Sequence, residues 1–131
     1  MKRTQVNPYD WSRPIGFSLG ELVEGHKRVL YVAGQVARAP DGEVQHAGDM
    51  AGQLRLVVEN LEAVLTEAGM TLANVVRLGV FTTDVDLLKE HRGILTERLE
   101  AVGVSPPQTL LGVARLALPE MLVEIEATAA D

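Results

Sequence analysis

The sequence predicts an α+β domain in which a sheet carries two helices on one face. Three observations predict it. Strand-like and helix-like segments follow one another in the order ββ-α-β-α-ββ, without a linker, repeat or low-complexity stretch. Two long segments have apolar residues at helical spacing, which is enough to cover one face of a sheet. The last segment alternates apolar and polar residues, as a strand with one buried face does.

Composition narrows the class of protein. With 131 residues and 47 % hydrophobic side chains, the chain is expected to form one domain over residues 1–131. A formal net charge of −6 disfavours binding to nucleic acid, which needs a concentrated basic face. Cysteine is absent and the three histidines lack ligand spacing, so no metal site is expected. No segment resembles a membrane span or a signal peptide, so a cytoplasmic protein that does not bind membranes is expected.

The N-terminal residues 1–15 are polar, contain two prolines, and are predicted to form an irregular arm with a frayed start. Trp11 within this arm is expected to dock on the body of the domain, since a lone exposed Trp is uncommon.

The next two segments, residues 16–24 and 28–37, are predicted to form a β-hairpin around a turn at residues 25–27. The residues of the first strand expected to face the core are Phe17, Leu19 and Leu22. The second strand is continuously apolar over residues 29–33, which is typical of a strand buried on both faces. Because no further element of the chain could cover the second face, self-association into a homo-oligomer is expected.

A loop over residues 39–48 with a Pro-Asp-Gly turn leads to the first helix, predicted over residues 50–68. Asp49 is its expected N-cap and Gly69 its left-handed stop. The apolar stripe of this helix comprises Leu54, Val57 or Val58, Leu61, Leu65 and Ala68.

The second half of the chain repeats a strand and a helix. Residues 75–83 are predicted as a strand, and residues 86–102 as one helix that Asp84 or Asp86 caps and Gly103 ends. Its apolar side comprises Leu88, His91 or Arg92, Leu95, Leu99 and Val102.

Residues 108–126 are predicted to form two strands joined by a short turn that contains Pro119. In the second strand, alternation directs the apolar residues to one face and Glu124 and Glu126 to the other. Two carboxylates on one strand face are typical either of a solvated sheet or of the wall of a polar pocket.

Several motifs, in order, resemble those of the RidA/YjgF (L-PSP) family, and the likeness extends over residues 15–130. The motifs are YVAGQV, a helix with Asp49, Gln53, Asn60 and Leu61, then EAGMTLANVVRLGVFTTD, TLLGVARL and VEIEATA. The resemblance implies a chorismate-mutase-like α+β fold with a mixed sheet. It also implies a homotrimer whose sheets form a central β-barrel, with a ligand cleft between neighbouring subunits.

The resemblance further implies an activity. The RidA branch hydrolyses enamines and imines such as 2-aminoacrylate to ketoacids and ammonia, a form of metabolite repair, and needs no cofactor of its own. The branch grips the substrate carboxylate with an Arg in a Pro-x-Arg-Ser/Thr motif, because a guanidinium binds a carboxylate through two hydrogen bonds. A water acts near the first Glu of Glu-Ile-Glu, which is Glu124 here.

The sequence departs from the branch at that Arg. The motif reads Pro106-Pro107-Gln108-Thr109, so a neutral amide replaces the guanidinium. Losing such a charge-assisted contact weakens carboxylate binding by roughly 1.5–3 kcal/mol. The other expected ligand contacts, carried over from the resemblance, are Thr109, Leu110, Arg92, Leu88, Gly34, Ala33 and Phe17.

Two arginines could compensate for Gln108. Arg115 is interpreted as structural. Arg92 stands where the family has an Asn, and it could recruit an anion at the mouth of the cleft. The alternative is that Arg92 is a solvated helix residue near Glu90 and Glu97.

The sequence is compatible with two functions. The first is hydrolysis of an imine or enamine other than 2-aminoacrylate, with Glu124 as the catalytic residue. The second is non-catalytic binding of a small metabolite by the trimer. RNA cleavage, also associated with the family, is disfavoured by the acidic charge balance and the lack of clustered histidines.

Overall fold

The computed structural model describes residues 1–131 and contains six strands and three α-helices in two layers. In chain order the elements are β1 (Lys2–Val6), β2 (Gly20–Glu24), β3 (Val29–Gln35), α1 (Met50–Glu67), β4 (Val75–Thr82), α2 (Val85–His91), α3 (Gly93–Ala101), β5 (Gln108–Gly112) and β6 (Val123–Ala130). The α+β class is therefore confirmed. None of the helices has the length and apolarity needed to cross a bilayer.

The main sheet is mixed and has the strand order β3-β6-β4-β5. Strand β6 pairs antiparallel with both β3 and β4, whereas β5 pairs parallel with β4 and forms one edge. Two predicted pairings are wrong. β3 does not form a hairpin with β2, and β5 and β6 are not joined by a short turn, since residues 113–122 lie between them. Apolar alternation identifies strands but does not identify their partners.

The N-terminal arm is also corrected, because residues 2–6 form β1, which pairs antiparallel with β2 in a separate two-stranded ribbon. Arg3 fixes this ribbon to the domain. Its guanidinium binds both carboxylate oxygens of Glu21, at 2.6 and 2.9 Å, and donates to the carbonyl oxygens of Ala73 and Val75. This bidentate ion pair, together with the two main-chain acceptors, holds in place the N-terminal segment that its polar composition predicted to be frayed.

The segment between β1 and β2 places two aromatic rings together. Trp11 packs edge-on against Phe17 with ring centroids 5.7 Å apart, although 58 % of Trp11 stays exposed. The expected docking of Trp11 is therefore observed on one side of its ring only. Leu22, predicted to face the core, is exposed, because it lies on the outer face of the ribbon.

Helix α1 matches its prediction closely. The Asp49 carboxylate accepts a hydrogen bond from the Gly52 N–H at 3.0 Å, and Gly69 follows the helix at φ +73°. Such a cap satisfies one of the free N–H groups of the first turn. The buried stripe comprises Leu54, Val57, Val58, Leu61 and Leu65, and it forms the centre of the core between helices and sheet.

The second predicted helix is divided in two. Asp84 is its cap, accepting from the Leu87 N–H at 3.0 Å, but α2 ends at His91 and α3 begins at Gly93. Arg92 lies at the junction, where glycine as the next residue weakens helix continuity. The break places the Arg92 side chain between two short helices rather than in the middle of one long helix.

Strand β6 has the predicted alternation. Its apolar residues Val123, Ile125 and Ala127 are buried under the helices, while Glu124 and Glu126 lie on the opposite face. That opposite face of the sheet, named here the open face, is covered by no element of the chain. Its exposed apolar side chains are Val29, Tyr31 and Leu111, of which Tyr31 is 80 % exposed. β3 is thus buried on one face within a single chain, not on both.

Candidate functional site

A cavity of about 120 Å³ lies on the helix side of the sheet, between α2, α3 and the edge strand β5. Most of its wall is apolar. The lining residues are Ile15, Phe17, Leu54, Val80, Leu88, Lys89, Arg92, Leu95, Thr96, Gln108 and Leu110. Five of the nine residues expected to form the site therefore surround one cavity: Phe17, Leu88, Arg92, Gln108 and Leu110.

The register of the sheet explains why β5 contributes Gln108 and Leu110. They pair with Leu78 and Val80 of β4, both of which are buried under the helices. Neighbouring residues of a strand point to opposite faces, so Thr109 lies on the open face instead. The sequence placed Thr109 beside Gln108 in the site, but within one chain the two side chains are on opposite sides of the sheet.

The cavity has two neutral polar side chains, Gln108 and Thr96. The amide of Gln108 makes no hydrogen bond within the chain, whereas the Thr96 hydroxyl donates to the Arg92 carbonyl oxygen at 3.1 Å. Methyl Cγ2 of Thr96 lies against Gly16, where a Cβ atom would come within 2.6 Å of it. Gln108 is thus the neutral hydrogen-bonding group that the wall offers to a ligand.

Two cations, Lys89 and Arg92, line the rim. Neither takes part in an ion pair of the chain. The exposure of Arg92 agrees with both predictions made for it, a solvated helix residue and a cation at the mouth of the cleft. Both residues are exposed, and they are three positions apart, which brings side chains to one side of a helix. The positive charge of the rim is therefore available to an anion.

Glu124 lies on the open face, away from the cavity. Its carboxylate extends over Gly34, so close that a Cβ atom at Gly34 would collide with it. The carboxylate makes no ion pair or hydrogen bond within the chain, and the residue is half-buried. Ala33, the residue before Gly34, is exposed beside it. Gly34 thus provides the space in which this carboxylate sits.

The two groups of site residues cannot meet in one chain. Glu124 pairs with Phe81, which pairs with Leu111, and Gln108 is three residues before Leu111. Two strand spacings across and three residues along separate the Cα atoms of Gln108 and Glu124 by about 14 Å. Their side chains also point to opposite faces.

The prediction missed several cavity residues, notably Lys89 and Thr96, which follow Leu88 and Arg92 on the same helices. Helical spacing could have found both, since residues three or four apart share a face. No signal in the sequence pointed to Ile15, because the arm was predicted to be irregular.

No three His, Asp or Glu side chains are grouped as metal ligands would be. At the far end of the sheet, a hydrogen bond from Arg28 and the charge of Arg28 lower the pKa of the Asp131 carboxyl. This pair is not part of the site.

Comparisons of the sequence and of the fold with known proteins agree with one another. The sequence profile of the family described as Endoribonuclease L-PSP matches residues 18–131. The RutC family protein PH0854 of Pyrococcus horikoshii is 34 % identical over 119 residues, covering 89 % of each chain. The crystal structure of YyfB from Yersinia pestis, described as a protein of unknown function of the conserved Rid protein family, is 37 % identical over the full length of both chains, with a TM-score of 0.84.

A ligand-bound structure is also similar. The crystal structure of E. coli TdcF with bound serine is 26 % identical, covers 88 % of this chain and 87 % of its own, and gives a TM-score of 0.71.

Proposed function

The chain belongs to the endoribonuclease L-PSP family, which includes the Rid proteins, and from this premise we propose that it hydrolyses a small imine or enamine other than 2-aminoacrylate. The ligand would bind in a cleft that two neighbouring copies of the chain form, within a homotrimer. No cofactor takes part in the proposed reaction.

The separation of the site residues supports a shared cleft. One chain offers a cavity with Gln108 and Arg92 on the helix side, and a free carboxylate, Glu124, on the open face. A small ligand cannot reach both in the same chain. It can do so where the edge of one sheet meets the open face of another copy, and this contact would also cover exposed Tyr31 and Leu111.

The observation that carries the proposed chemistry is the unpaired carboxylate of Glu124 over Gly34. A carboxylate with no partner can accept a proton from a water molecule as that water attacks the imine carbon. The oxygen of the water forms the new C–O bond, the nitrogen takes two protons and leaves as ammonia, and the product is a carbonyl compound. Holding water and imine together supplies proximity.

The cavity supports a substrate other than 2-aminoacrylate. Gln108 replaces the Arg that grips the carboxylate of that substrate in the RidA branch, and an amide carries no charge. TdcF, with a similar fold, binds serine, so an amino-acid-like ligand is compatible with the fold. The proposed substrate is therefore similar in size to the imines that the RidA branch hydrolyses, and it differs from them in the protein group that contacts its carboxylate.

The second candidate is a trimer that binds a small metabolite without reaction. The observation that favours it is the same replacement by Gln108, because a binding site without its charged anchor can retain recognition and lose turnover. The two candidates differ in one measurable property, the release of product.

The test generates 2-aminoacrylate in situ and follows keto-acid release by the wild type and by Gln108→Arg. The wild type is expected near background, and the variant at least tenfold faster, because a charge-assisted contact contributes roughly 1.5–3 kcal/mol. Gln45→Arg, on an exposed loop outside the cavity, is the matched control and should leave the rate unchanged.

The outcomes separate the candidates. Equally fast release by wild type and Gln108→Arg would show that position 108 does not select the substrate. If no imine in a panel is hydrolysed but small metabolites raise the melting temperature, the protein is a binder without turnover.

A further inference from the structure

Residues 7–19, which connect β1 to β2, form a loop that is closed at its base. Val6 and Gly20 pair at the ends of the two strands. Next to this pair, the Asn7 side-chain oxygen accepts a hydrogen bond from the Leu19 N–H at 2.7 Å. A surface loop of about 6–16 residues whose ends meet in this way is an Ω-loop, a type of loop that is frequently functional. Residues 7–19 are therefore named here the Ω-loop.

The Ω-loop is hydrogen-bonded mainly to itself. The Ser12 carbonyl oxygen accepts from the Ile15 N–H at 3.0 Å and from the two N–H groups that follow. Between residues 8–18 and the rest of the domain there is one main-chain hydrogen bond, from the Ser18 N–H to the Ser105 carbonyl oxygen at 3.0 Å. No side-chain hydrogen bond or ion pair adds to it. The loop can therefore move as a unit on its base with the loss of few polar contacts.

The inner side of the Ω-loop forms part of the cavity wall. Of the eleven residues that line the cavity, Ile15 and Phe17 belong to the loop. The other nine belong to the helices, to the junction between α2 and α3, and to the main sheet. The loop is thus the part of the wall that can move without separating a helix from the sheet.

Trp11 supports Phe17 from outside the cavity. The two rings pack edge to face, with centroids 5.7 Å apart and an angle of 77° between their planes. Trp11 itself does not line the cavity and is 58 % exposed. Because such an aromatic pair contributes stability beyond the area that it buries, Trp11 favours the position in which Phe17 lies against the cavity. This position is called here the closed position.

The closed position also has a cost. The Ser18 residue is only 1 % exposed, and its hydroxyl makes no hydrogen bond. A buried hydroxyl without a partner loses its hydration and gains nothing in return. Outward movement at Ser18 would return the hydroxyl to water while it removed Phe17 from the cavity wall. The apolar contacts and the unpaired hydroxyl therefore favour opposite positions of the loop.

We propose that the Ω-loop is a hinged lid on the cavity, and that Trp11 is a positioning residue that holds Phe17 in the closed position. The hinge is the base of the loop, and opening breaks the contact between Ser18 and Ser105. Closure retains a small molecule against the inner wall of the cavity. The proposal rests on the function proposed above, since the lid serves the same site, but its motion is measured without turnover.

The first test measures amide hydrogen exchange by NMR in Trp11→Ala. We expect the Ser18 amide to exchange about three- to tenfold faster than in the wild type, because the closed position loses an aromatic contact. The Leu19 amide, which Asn7 holds at the hinge, should keep its rate. Trp11→Phe should restore the Ser18 rate. The matched control is Tyr9→Ala, which removes an exposed ring of the same loop and should change neither rate.

The second test locks the lid. The chain has no cysteine, so Ser18→Cys and Ser105→Cys together introduce its only two thiols. Residues joined by a main-chain hydrogen bond have Cα atoms about 5–6 Å apart, a separation that a disulfide spans. Xenon, which enters apolar cavities, is the probe. Its exchange with the cavity, measured by xenon-129 NMR, should be at least tenfold slower in the oxidised protein than in the same protein after reduction.

Several results would overturn the proposal. In the first test they are a Ser18 amide that Trp11→Ala leaves unchanged, a Leu19 amide that accelerates equally, or a Trp11→Phe variant as fast as Trp11→Ala. In the second they are thiols that do not join on oxidation, or xenon exchange that is equal in the two redox forms or absent from both. Failure of the proposed function is seen separately, as the absence of keto-acid release, and alters none of these measurements.

Discussion

Two glycines of the open face determine where the carboxylates of β6 lie. The Glu124 carboxylate occupies the space that a side chain at Gly34 would need, and Glu126 does the same at Gly79. A Cβ atom at Gly79 would be 2.7 Å from the nearest carboxylate oxygen of Glu126. Neither glycine has positive φ, so the backbone accepts alanine at both positions, but the alanine Cβ would displace the glutamate side chain above it from Cγ to the carboxylate.

This pair of glycines gives a matched test of Glu124. We expect Gly34→Ala to lower imine turnover at least tenfold and to lower the free energy of unfolding by about 1–2 kcal/mol, because the whole Glu124 side chain from Cγ outward must move. Gly79→Ala, which displaces Glu126, should stay within twofold of the wild type. The rate of keto-acid release and urea unfolding measure the two effects, and an inverse ranking of the variants would assign the reaction to Glu126.

The ion pair of Arg28 and Asp131 gives a prediction for pH. The pKa of Asp131 lies below its ordinary value of 3.8, chiefly through the hydrogen bond from Arg28. A lowered pKa stabilises the fold at neutral pH, and this contribution is lost as pH falls through the lowered value. We expect Arg28→Gln to raise the pKa of Asp131 toward 3.8, as measured by carbon-13 NMR titration.

The same variant should melt at a lower temperature than the wild type at pH 7, and the difference should shrink as the pH falls through the lowered pKa of Asp131, because Asp131 is then protonated in both proteins. The effect will be small, because the pair is exposed to solvent. A difference in melting temperature that grows on acidification would contradict this assignment.

At the scale of the elements, the helix motif that carries the family likeness is structural. The Gln53 amide is fully buried and donates to the carbonyl oxygens of His46 and Glu120, at 3.1 and 2.7 Å. Its oxygen accepts from the Leu122 N–H at 2.8 Å. One side chain thus joins α1 to the loops that enter α1 and β6.

Asn60 of the same motif acts at the same end of the sheet, where β3 ends beside the start of β6. Its amide donates to the carbonyl oxygens of Val36 and Arg38, at 3.0 and 2.9 Å, just after β3 ends. Buried or half-buried main-chain groups outside a ladder need such partners. The motif residues therefore position the loops around the sheet and do not take part in the site.

The contribution of Gln53 can be measured. Gln53→Leu keeps the volume but leaves three main-chain groups without a partner, so the free energy of unfolding should fall by about 3 kcal/mol. The control, Gln45→Leu on an exposed loop, should change it by less than about 0.5 kcal/mol. Urea unfolding monitored by circular dichroism compares them; equal stability of the two variants would refute the role given to this amide.

At the scale of the whole molecule, the open face is the side of the sheet that a single chain leaves uncovered. Tyr31 is 80 % exposed there, beside exposed Val29. We expect the protein in solution to have about three times the chain mass of 14.2 kDa, as measured by light scattering. Tyr31→Glu should dissociate it, because a charge buried at an interface without a partner is destabilising.

Tyr9→Glu is the control for that experiment, since Tyr9 is 67 % exposed but precedes β2 and lies outside the open face. Its mass should remain that of the trimer. A wild type that stays at 14.2 kDa at micromolar concentration would remove the basis for a cleft shared between copies.

The sequence by itself determined most of the elements, and the buried faces of α1 and β6. Periodicity placed α1, β4 and β6, and local chemistry placed the caps at Asp49 and Asp84, because these features depend on neighbours within a few residues. The motifs also identified five residues that line one cavity.

Only the tertiary structure decided which strands pair, that β1 exists, and that Glu124 and Gln108 lie on opposite faces of the sheet. The physical reason is the distance along the chain between the residues that make contact. Contacts between segments tens of residues apart determine which strands pair, where Arg3 binds, and which distant residues share a side of the sheet. No local sequence pattern encodes these contacts.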